Sequence, residues 1–281
     1  MAELPDGTEE LVARALAEDL GSGDVTSEAA VPEDAAAVAR ISLKEPGIVF
    51  GLEVAGEVFR QAGATGFESL AEEGTWLEDV PLDVARITGP ARSILAGERT
   101  ALNLLGHLSG VSTMTSRFVT AIEGSGAEVL DTRKTTPGLR NLEKAAVEAG
   151  GGVNHRFGLH DAILVKENHI AMAGGVPEAI AACRKSAPDL PIEIEAETLA
   201  QVDEAIELGV DRILLDNMDL ADLAAAVAAR DGSEGARPQL EASGGIDLET
   251  AGSIAATGVD FISVGSITHS APTVDFSLLI D

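Results

Sequence analysis

At 281 residues the chain is long enough for one large domain or two ordinary ones, and its 45% hydrophobic content rules out a wholly disordered protein. Its 47 acidic residues against 19 basic ones give a formal charge of −28. That sign argues against a nucleic-acid partner, because neutralising phosphates takes an excess of lysine and arginine. Cys183 is the only cysteine, so no intramolecular disulfide and no cysteine-based zinc site can form. No apolar run reaches the ~18 residues that span a bilayer, and the N-terminus lacks the basic and apolar regions of a signal peptide. A soluble, cytoplasmic protein with no membrane partner is expected. Acid pairs such as Glu9-Glu10, Glu33-Asp34 and Glu72-Glu73 fall between apolar positions, as on solvated faces. The pattern suits a halophilic surface, since a Debye length of about 3 Å at ~1 M salt screens the self-repulsion.

In chain order, residues 7–20 place Leu11, Val12, Ala15, Leu16 and Leu20 at helical spacing. A Gly/Ser/Asp-rich turn follows, then one or two strands in AVARISLKEPGIVFG, a helix in LEVAGEVFRQAG and a strand near DVARITGPA. This mixed stretch predicts a first domain over 1–95. From about Ala91 to Ile122 the pattern is one long helix, in which Gly106 and Gly110 are small enough for close helix packing. Thereafter short apolar strands end at Asp131, Lys166, Glu195, Asp216, Ser243 and Gly265, with amphipathic helices between them. Spacings of 35, 29, 21, 27 and 22 residues are those of βα units with a parallel sheet. Six units are too few for a regular eight-unit barrel, so an incomplete, open α/β barrel is predicted over 96–269. Residues 270–281 are expected to return to the first domain.

Functional groups of parallel α/β folds collect at the C-terminal ends of the strands. Here those ends carry Asp131 with Arg133 and Lys134, then Lys166, Glu195 and Asp216. The segment from Asp131 to Lys166 has six basic residues (Arg133, Lys134, Arg140, Lys144, Arg156 and Lys166) against four acids, whereas the first 98 residues carry 6 basic and 20 acidic. A positive island in so acidic a chain points to an anionic ligand held by direct contacts. Arginine suits planar carboxylates and lysine serves phosphate, so both ligand types stay open. Arg140 and Lys144, at helical spacing, are expected on a solvated face. Ser243-Gly244-Gly245 and Gly265-Ser266 would let backbone N–H groups approach a phosphate, while neither a Walker A loop nor GxGxxG is present. Of the five histidines, His107 is expected in helix packing, and His155 follows Gly150-Gly151-Gly152 inside the basic island. No HExxH motif occurs. Glu195 and Asp216 could hold Mg²⁺, mainly through water and ligand phosphates.

Several segments together resemble the quinolinate phosphoribosyltransferase family: LDTRKTTPGLR, GGGVNHRFGLHDAILVKENHI, IEIEAET, LLDN, EASGGI and SVGSITHS, with GERTALNLLGHLSG and KEPGIVFG upstream. They run in family order and cover most of residues 97–270. The resemblance implies an N-terminal open α/β sandwich, an incomplete α/β barrel, and a homodimer whose active sites lie at the subunit boundary. It also implies an enzyme that joins quinolinate to 5-phosphoribosyl 1-pyrophosphate, with Mg²⁺ as cofactor, giving nicotinate mononucleotide, pyrophosphate and CO₂ in NAD biosynthesis. Carried over by position, Arg99 would reach the quinolinate carboxylates from the neighbouring subunit. Arg133, His155 and Arg156 would clamp the same dicarboxylate, with Lys134 and Lys166 toward the phosphoribosyl donor. Glu195 and Asp216 would face the ribose hydroxyls and Mg²⁺, and Ser243, Gly244, Gly265 and His269 would line the 5-phosphate end. Lys134, Lys166, Glu195 and Asp216 form the expected catalytic set. The alternatives are a nicotinate phosphoribosyltransferase, a paralogue associated with molybdate transport, and a non-catalytic anion-binding protein on the same fold. Four cationic groups favour a ligand with two carboxylates.

Overall fold

The computed structural model describes residues 4–235 and 237–281. They fall into two compact units, the first made of residues through Ser116 with 135–151 and 267–281, the second of 117–134 and 152–266. The first stretch of chain forms α1 (Thr8–Leu20), α2 (Val25–Ala30), β1 (Ala36–Leu43), β2 (Gly47–Ile48), α3 (Leu52–Ala62), β3 (Gly66–Ser69), β4 (Trp76–Leu77), β5 (Leu82–Pro90) and α4 (Ala91–Ala121). It continues through β6 (Glu128–Leu130), α5 (Arg140–Ala149), β7 (Ile163–Val165), α6 (Glu167–Ala173), α7 (Val176–Ser186), β8 (Ile192–Ala196), α8 (Leu199–Leu208) and β9 (Arg212–Asp216). The last elements are α9 (Leu220–Gly232), β10 (Gln239–Ser243), α10 (Ala251–Ala255), β11 (Phe261–Ser263), α11 (Ser266–His269) and β12 (Phe276–Ile280).

The first unit is built on an antiparallel sheet in the order β12-β1-β5-β3. Alternation puts Ala39, Ile41 and Leu43 of β1 into the core, with Val84, Ala85 and Ile87 of β5 also buried. Amphipathic α3 buries Leu52, Val54, Ala55, Val58 and Phe59. It has no side-chain cap of its own; the Glu73 carboxylate accepts from the Gly51 N–H at 2.6 Å and from the Leu52 N–H instead. The turn after residue 20 carries a short helix the sequence reading did not include, because Asp24 accepts from the Thr26 and Ser27 N–H groups and so starts α2.

These contacts divide the chain elsewhere than at 95/96. Most of α4 stays with the first unit, and α5 joins it: Ser112 Oγ donates to the Ala146 carbonyl at 2.7 Å, and Gly150 lies against Ser112 and Thr115. The small residues of α4 admit an extended chain rather than another helix. A Cβ on Gly106 would sit 2.8 Å from Thr273 Cγ2 and the Val274 carbonyl oxygen, and one on Gly110 would overlap the Pro272 carbonyl. The Val274 N–H donates to the Gly106 carbonyl at 3.1 Å, after which β12 pairs with β1 from Leu43↔Phe276 to Ala39↔Ile280.

In the second unit six parallel strands run in the order β6-β11-β10-β9-β8-β7. The last strand lies beside the first, and the seam falls between β6 and β7, where only Val153 bridges Leu130 among the described residues. This is the expected open barrel. Ile192, Ile194, Ile213, Leu215, Leu240, Ala242 and Ile262 are buried on one side of their strands. The alternate positions carry Glu193, Glu195, Arg212, Asp216, Glu241 and Ser243. No helix among the described residues is long and apolar enough to cross a membrane.

Gly110→Ala should lower the melting temperature by about 5 °C or more, because the added methyl meets a backbone carbonyl that cannot swing away. Gly232→Ala, with nothing within 4 Å of the new Cβ, should leave it unchanged or slightly raised. Thermal unfolding of the two proteins in one buffer tests the contrast; equal melting temperatures would refute it.

Candidate active site

Five of the six strands of the open barrel deliver a polar side chain at the C-terminal end, and the sixth leads into a glycine. Asp131 follows β6 and is fully buried, with its Oδ1 accepting from the backbone N–H of His155 at 2.8 Å. That bond ties the loop carrying His155 and Arg156 to the end of β6. Arg133 lies close enough to Arg156 that, after burial, its charge is what pushes the Arg156 pKa down. Two like charges held together in a low-dielectric site are poised for an anion. The loop is closed beyond them by Asp161, which accepts from the Phe157 N–H at 2.6 Å and the Gly158 N–H at 2.9 Å. Arg156 Nη1 donates to the Ala162 carbonyl at 3.2 Å.

Lys166 follows β7 and begins α6, its N–H bound to His169 Nδ1 at 3.0 Å. Its ammonium pairs with the Glu195 carboxylate at the end of β8. Asp216 ends β9 and accepts from Asn217 Nδ2 at 2.8 Å. Asn217 is the one described non-glycine residue with positive φ, at 55°, and its N–H is held by the Ser243 carbonyl at 2.9 Å. Gly244 has φ of 101°, and a Cβ there would overlap Asn217 Oδ1, so this glycine is demanded by the neighbouring strand end. Gly265 follows β11.

The structure therefore brings Arg133, His155, Arg156, Lys166, Glu195, Asp216, Ser243 and Gly244 to one end of the second unit, with Lys134 exposed on the loop after β6. Arg99 is exposed on α4 and His269 bonds Ser270 Oγ through Nδ1 at 2.6 Å; both belong to the first unit. His107 packs as expected, with Nε2 2.8 Å from Glu143 Oε1, and the buried Glu143 also accepts from the Thr136 N–H. The solvated face expected for Arg140 and Lys144 does not exist. Lys144 is fully buried and Arg140 half-buried, with Nε donating to Thr135 Oγ1 at 3.0 Å, because α5 turns the side holding Leu142, Glu143, Lys144, Ala146 and Val147 inward.

Below the strand ends lies a group the sequence reading passed over. His155 Nε2 is 2.7 Å from Glu193 Oε2 and 3.5 Å from Glu241 Oε2. Arg212 Nη1 is 3.2 Å from Glu241 Oε2, with its guanidinium 4.3 Å from the centre of the Phe261 ring. The signal was present: strands buried on both faces read as continuous apolar runs, and IEIEA and QLEAS interrupt that run with glutamates. Burial opposes a charged imidazole, but the Glu193 hydrogen bond and the charges of Glu241 and Glu193 outweigh it. The His155 pKa is raised above its ordinary 6.5 despite Arg212. Burial and the Glu193 charge push Glu241 up to about 7, against His155 and Arg212.

Residues 24–109 match the family described as quinolinate phosphoribosyl transferase, N-terminal domain, and residues 111–279 match its C-terminal domain. The chain belongs to the quinolinate phosphoribosyltransferase family. It is 42% identical over 281 residues to the nicotinate-nucleotide pyrophosphorylase [carboxylating] of Mycobacterium leprae (strain TN), covering 97% of each chain. It also superposes on the solved nicotinate-nucleotide pyrophosphorylase of Francisella tularensis with a TM-score of 0.93 at 38% identity, covering 99% of this chain and 98% of that one. The human nicotinic acid phosphoribosyltransferase shares the fold alone, with a TM-score of 0.63 at 14% identity, covering 99% of this chain and 74% of the other.

The buried titrating pair makes stability depend on pH in a stated sense. Glu241 ionises near 4.5 when unfolded and near 7 when folded, so the folded state loses stability as pH rises through that window. His155 contributes stability below 6.5 and loses it as pH passes its raised folded value. Glu241→Gln, neutral throughout, should flatten the decline in unfolding free energy between about pH 5 and 8. Denaturant melts at constant ionic strength measure this, and an unaltered slope would contradict it.

Proposed function

We propose that this enzyme joins quinolinate to 5-phosphoribosyl 1-pyrophosphate and releases pyrophosphate and CO₂, giving nicotinate mononucleotide. The observation that carries the proposal is the pairing of Lys166 with Glu195 at the ends of adjacent strands, beside Asp216 and the Arg133–Arg156 pair. Loss of pyrophosphate from ribose C1 builds positive charge on the sugar, which Glu195 and Asp216 would stabilise, while Lys134 and Lys166 meet the leaving anion. Arg133, Arg156 and His155 would seat the pyridine dicarboxylate, so that two polyanions are oriented against each other before reaction. Ring-nitrogen ribosylation makes the ring cationic, the adjacent positive charge stabilises the C2 carbanion left when the carboxylate departs as CO₂, and a proton from water then completes the C2–H bond. Ser243, Gly244, Gly265 and His269 are read by resemblance as the 5-phosphate end.

Glu195 and Asp216 suit Mg²⁺: both are carboxylates at strand ends, and no third protein ligand joins them among the described residues. A hard cation that keeps its waters and binds substrate oxygens fits such a pair. When bound, Mg²⁺ supplies charge neutralisation for the pyrophosphate. The acidic surface is read as halophilic and the lone Cys183 as suited to a reducing cytoplasm, with no nucleic-acid or membrane partner.

Incubation with quinolinate, 5-phosphoribosyl 1-pyrophosphate and Mg²⁺ in high salt should yield CO₂ and the mononucleotide, and nicotinate in place of quinolinate should not react. Turnover of nicotinate instead would overturn the assignment. Lys134→Ala and Lys166→Ala should each lower kcat/KM more than tenfold, a loss above ~1.4 kcal/mol, with unchanged circular dichroism. Wild-type kinetics in either would remove that lysine from the site.

The enzyme is proposed to act as a homodimer in which Arg99 serves the partner's site. Mixing Arg99→Ala with Arg133→Ala subunits should restore activity to a fraction of the heterodimers. Verified heterodimers without activity would refute the arrangement.

A further inference from the structure

Glu193, Arg212 and Glu241 stand on three neighbouring strands, β8, β9 and β10, one layer below the strand-end residues that the proposed reaction uses. Glu193 and Glu241 are 5% and 1% exposed. Two carboxylates against one guanidinium leave a negative charge out of water, which costs several kcal/mol unless a cation compensates it. The group in place is His155, whose Nε2 lies at hydrogen-bond distance from Glu193 and near Glu241. With a protonated imidazole and both carboxylates ionised, above the Glu241 value of about 7, the four side chains sum to zero; below it Glu241 also takes up a proton. A bound metal ion would have to displace the proton from Nε2 and sit beside Arg212, whose guanidinium already contacts Glu241. Glu193 Oε1 is buried without a hydrogen-bond partner, so the carboxylate's directed bond is the one it makes to His155 through Oε2.

His155 is fixed from two directions. Its backbone N–H is held by Asp131 from the end of β6, and its ring by β8 and β10. The groups facing it include Glu193, Glu241 and Asp131, with Arg212 beyond Glu241 and Arg156 next in sequence. We propose that Glu193 and Glu241 are positioning residues that fix the ring of His155 and hold it as the imidazolium. Arg133, His155 and Arg156 then meet the substrate as three positive charges. Two buried acids thereby strengthen the binding of a dianion, by guaranteeing the charge of the histidine above them. A free histidine would lose that charge near neutrality, whereas the pKa of this one is raised. The inference rests on the quinolinate reading above for the identity of the ligand but not for the state of the ring.

The experiment combines nitrogen-15 NMR of the histidine rings with steady-state kinetics from about pH 6 to 8.5. His155→Asn assigns the resonance. Wild-type His155 should keep both ring nitrogens protonated at pH values where free histidine is neutral, and in Glu193→Gln it should titrate at lower pH. The KM for quinolinate should stay nearly level across the range in wild type and rise about tenfold in Glu193→Gln. The kcat at saturation and the KM for the phosphoribosyl donor should change by less than about threefold. Glu241→Gln should show the same trend more weakly, because Glu193 makes the shorter contact. A neutral His155 at pH 7 in wild-type protein, a metal ion retained on Nε2, or a pH-independent KM in Glu193→Gln would each overturn the proposal. If Glu193→Gln fails to fold, the wild-type ring titration and Glu241→Gln still decide it. Absence of turnover in wild type would refute the reaction while leaving the NMR result to judge the network.

Discussion

The organising constraint is charge balance inside the barrel. Most small barrels fill their interior with branched apolar side chains, whereas this one places Glu193, Arg212 and Glu241 there. Such groups are stable only if each carries a partner of opposite sign within hydrogen-bond reach. Arg212 meets that need from within the sheet and His155 from the loop above it. The loop is therefore held by the electrostatics of the interior, and with it Arg156, which is also in the field of Arg133.

A second layer of the site follows from backbone geometry. Asn217 adopts positive φ because its N–H bonds the Ser243 carbonyl across to β10, and its side chain reaches back to Asp216. The same side chain occupies the space that any residue but glycine would fill at position 244. Asp216, Asn217, Ser243 and Gly244 are thus one interlocked pair of strand ends. Their motifs LLDN and EASGG lie 27 residues apart and are read together only once the parallel register of β9 and β10 is known.

Much of this was legible in the sequence. Four of the six strand ends could be read because charge is the exception at the end of an apolar run, the other two because glycine follows, and the βα spacing forces those ends to the same side. Glu193 and Glu241 were not, because attention to the last residue of each strand overlooks positions two residues earlier that share its face. Lys144 misled for the opposite reason: a lysine four residues after an arginine reads as solvated, yet Leu142, Ala146 and Val147 carry the same part of α5 into the core. α2 and the short strands β3 and β4 carry too few residues for periodicity to register; α2 depends on a single aspartate cap. The return of the C-terminal segment was legible, but the join of α5 to α4 was not, because it is made through contacts at Gly150 that no local pattern encodes.

The position of β12 has a consequence for how the molecule is made. In the sheet order β12-β1-β5-β3, strand β1 is interior only because the final residues of the chain lie along it. While translation is under way, β1 has one side lined with unmatched backbone donors and acceptors, a template for adhesion to another nascent chain. The six barrel strands are all synthesised before that side is covered. The sheet that begins first is sealed last: a chain lacking residues 276–280 would keep all six barrel strands and a sheet without its border.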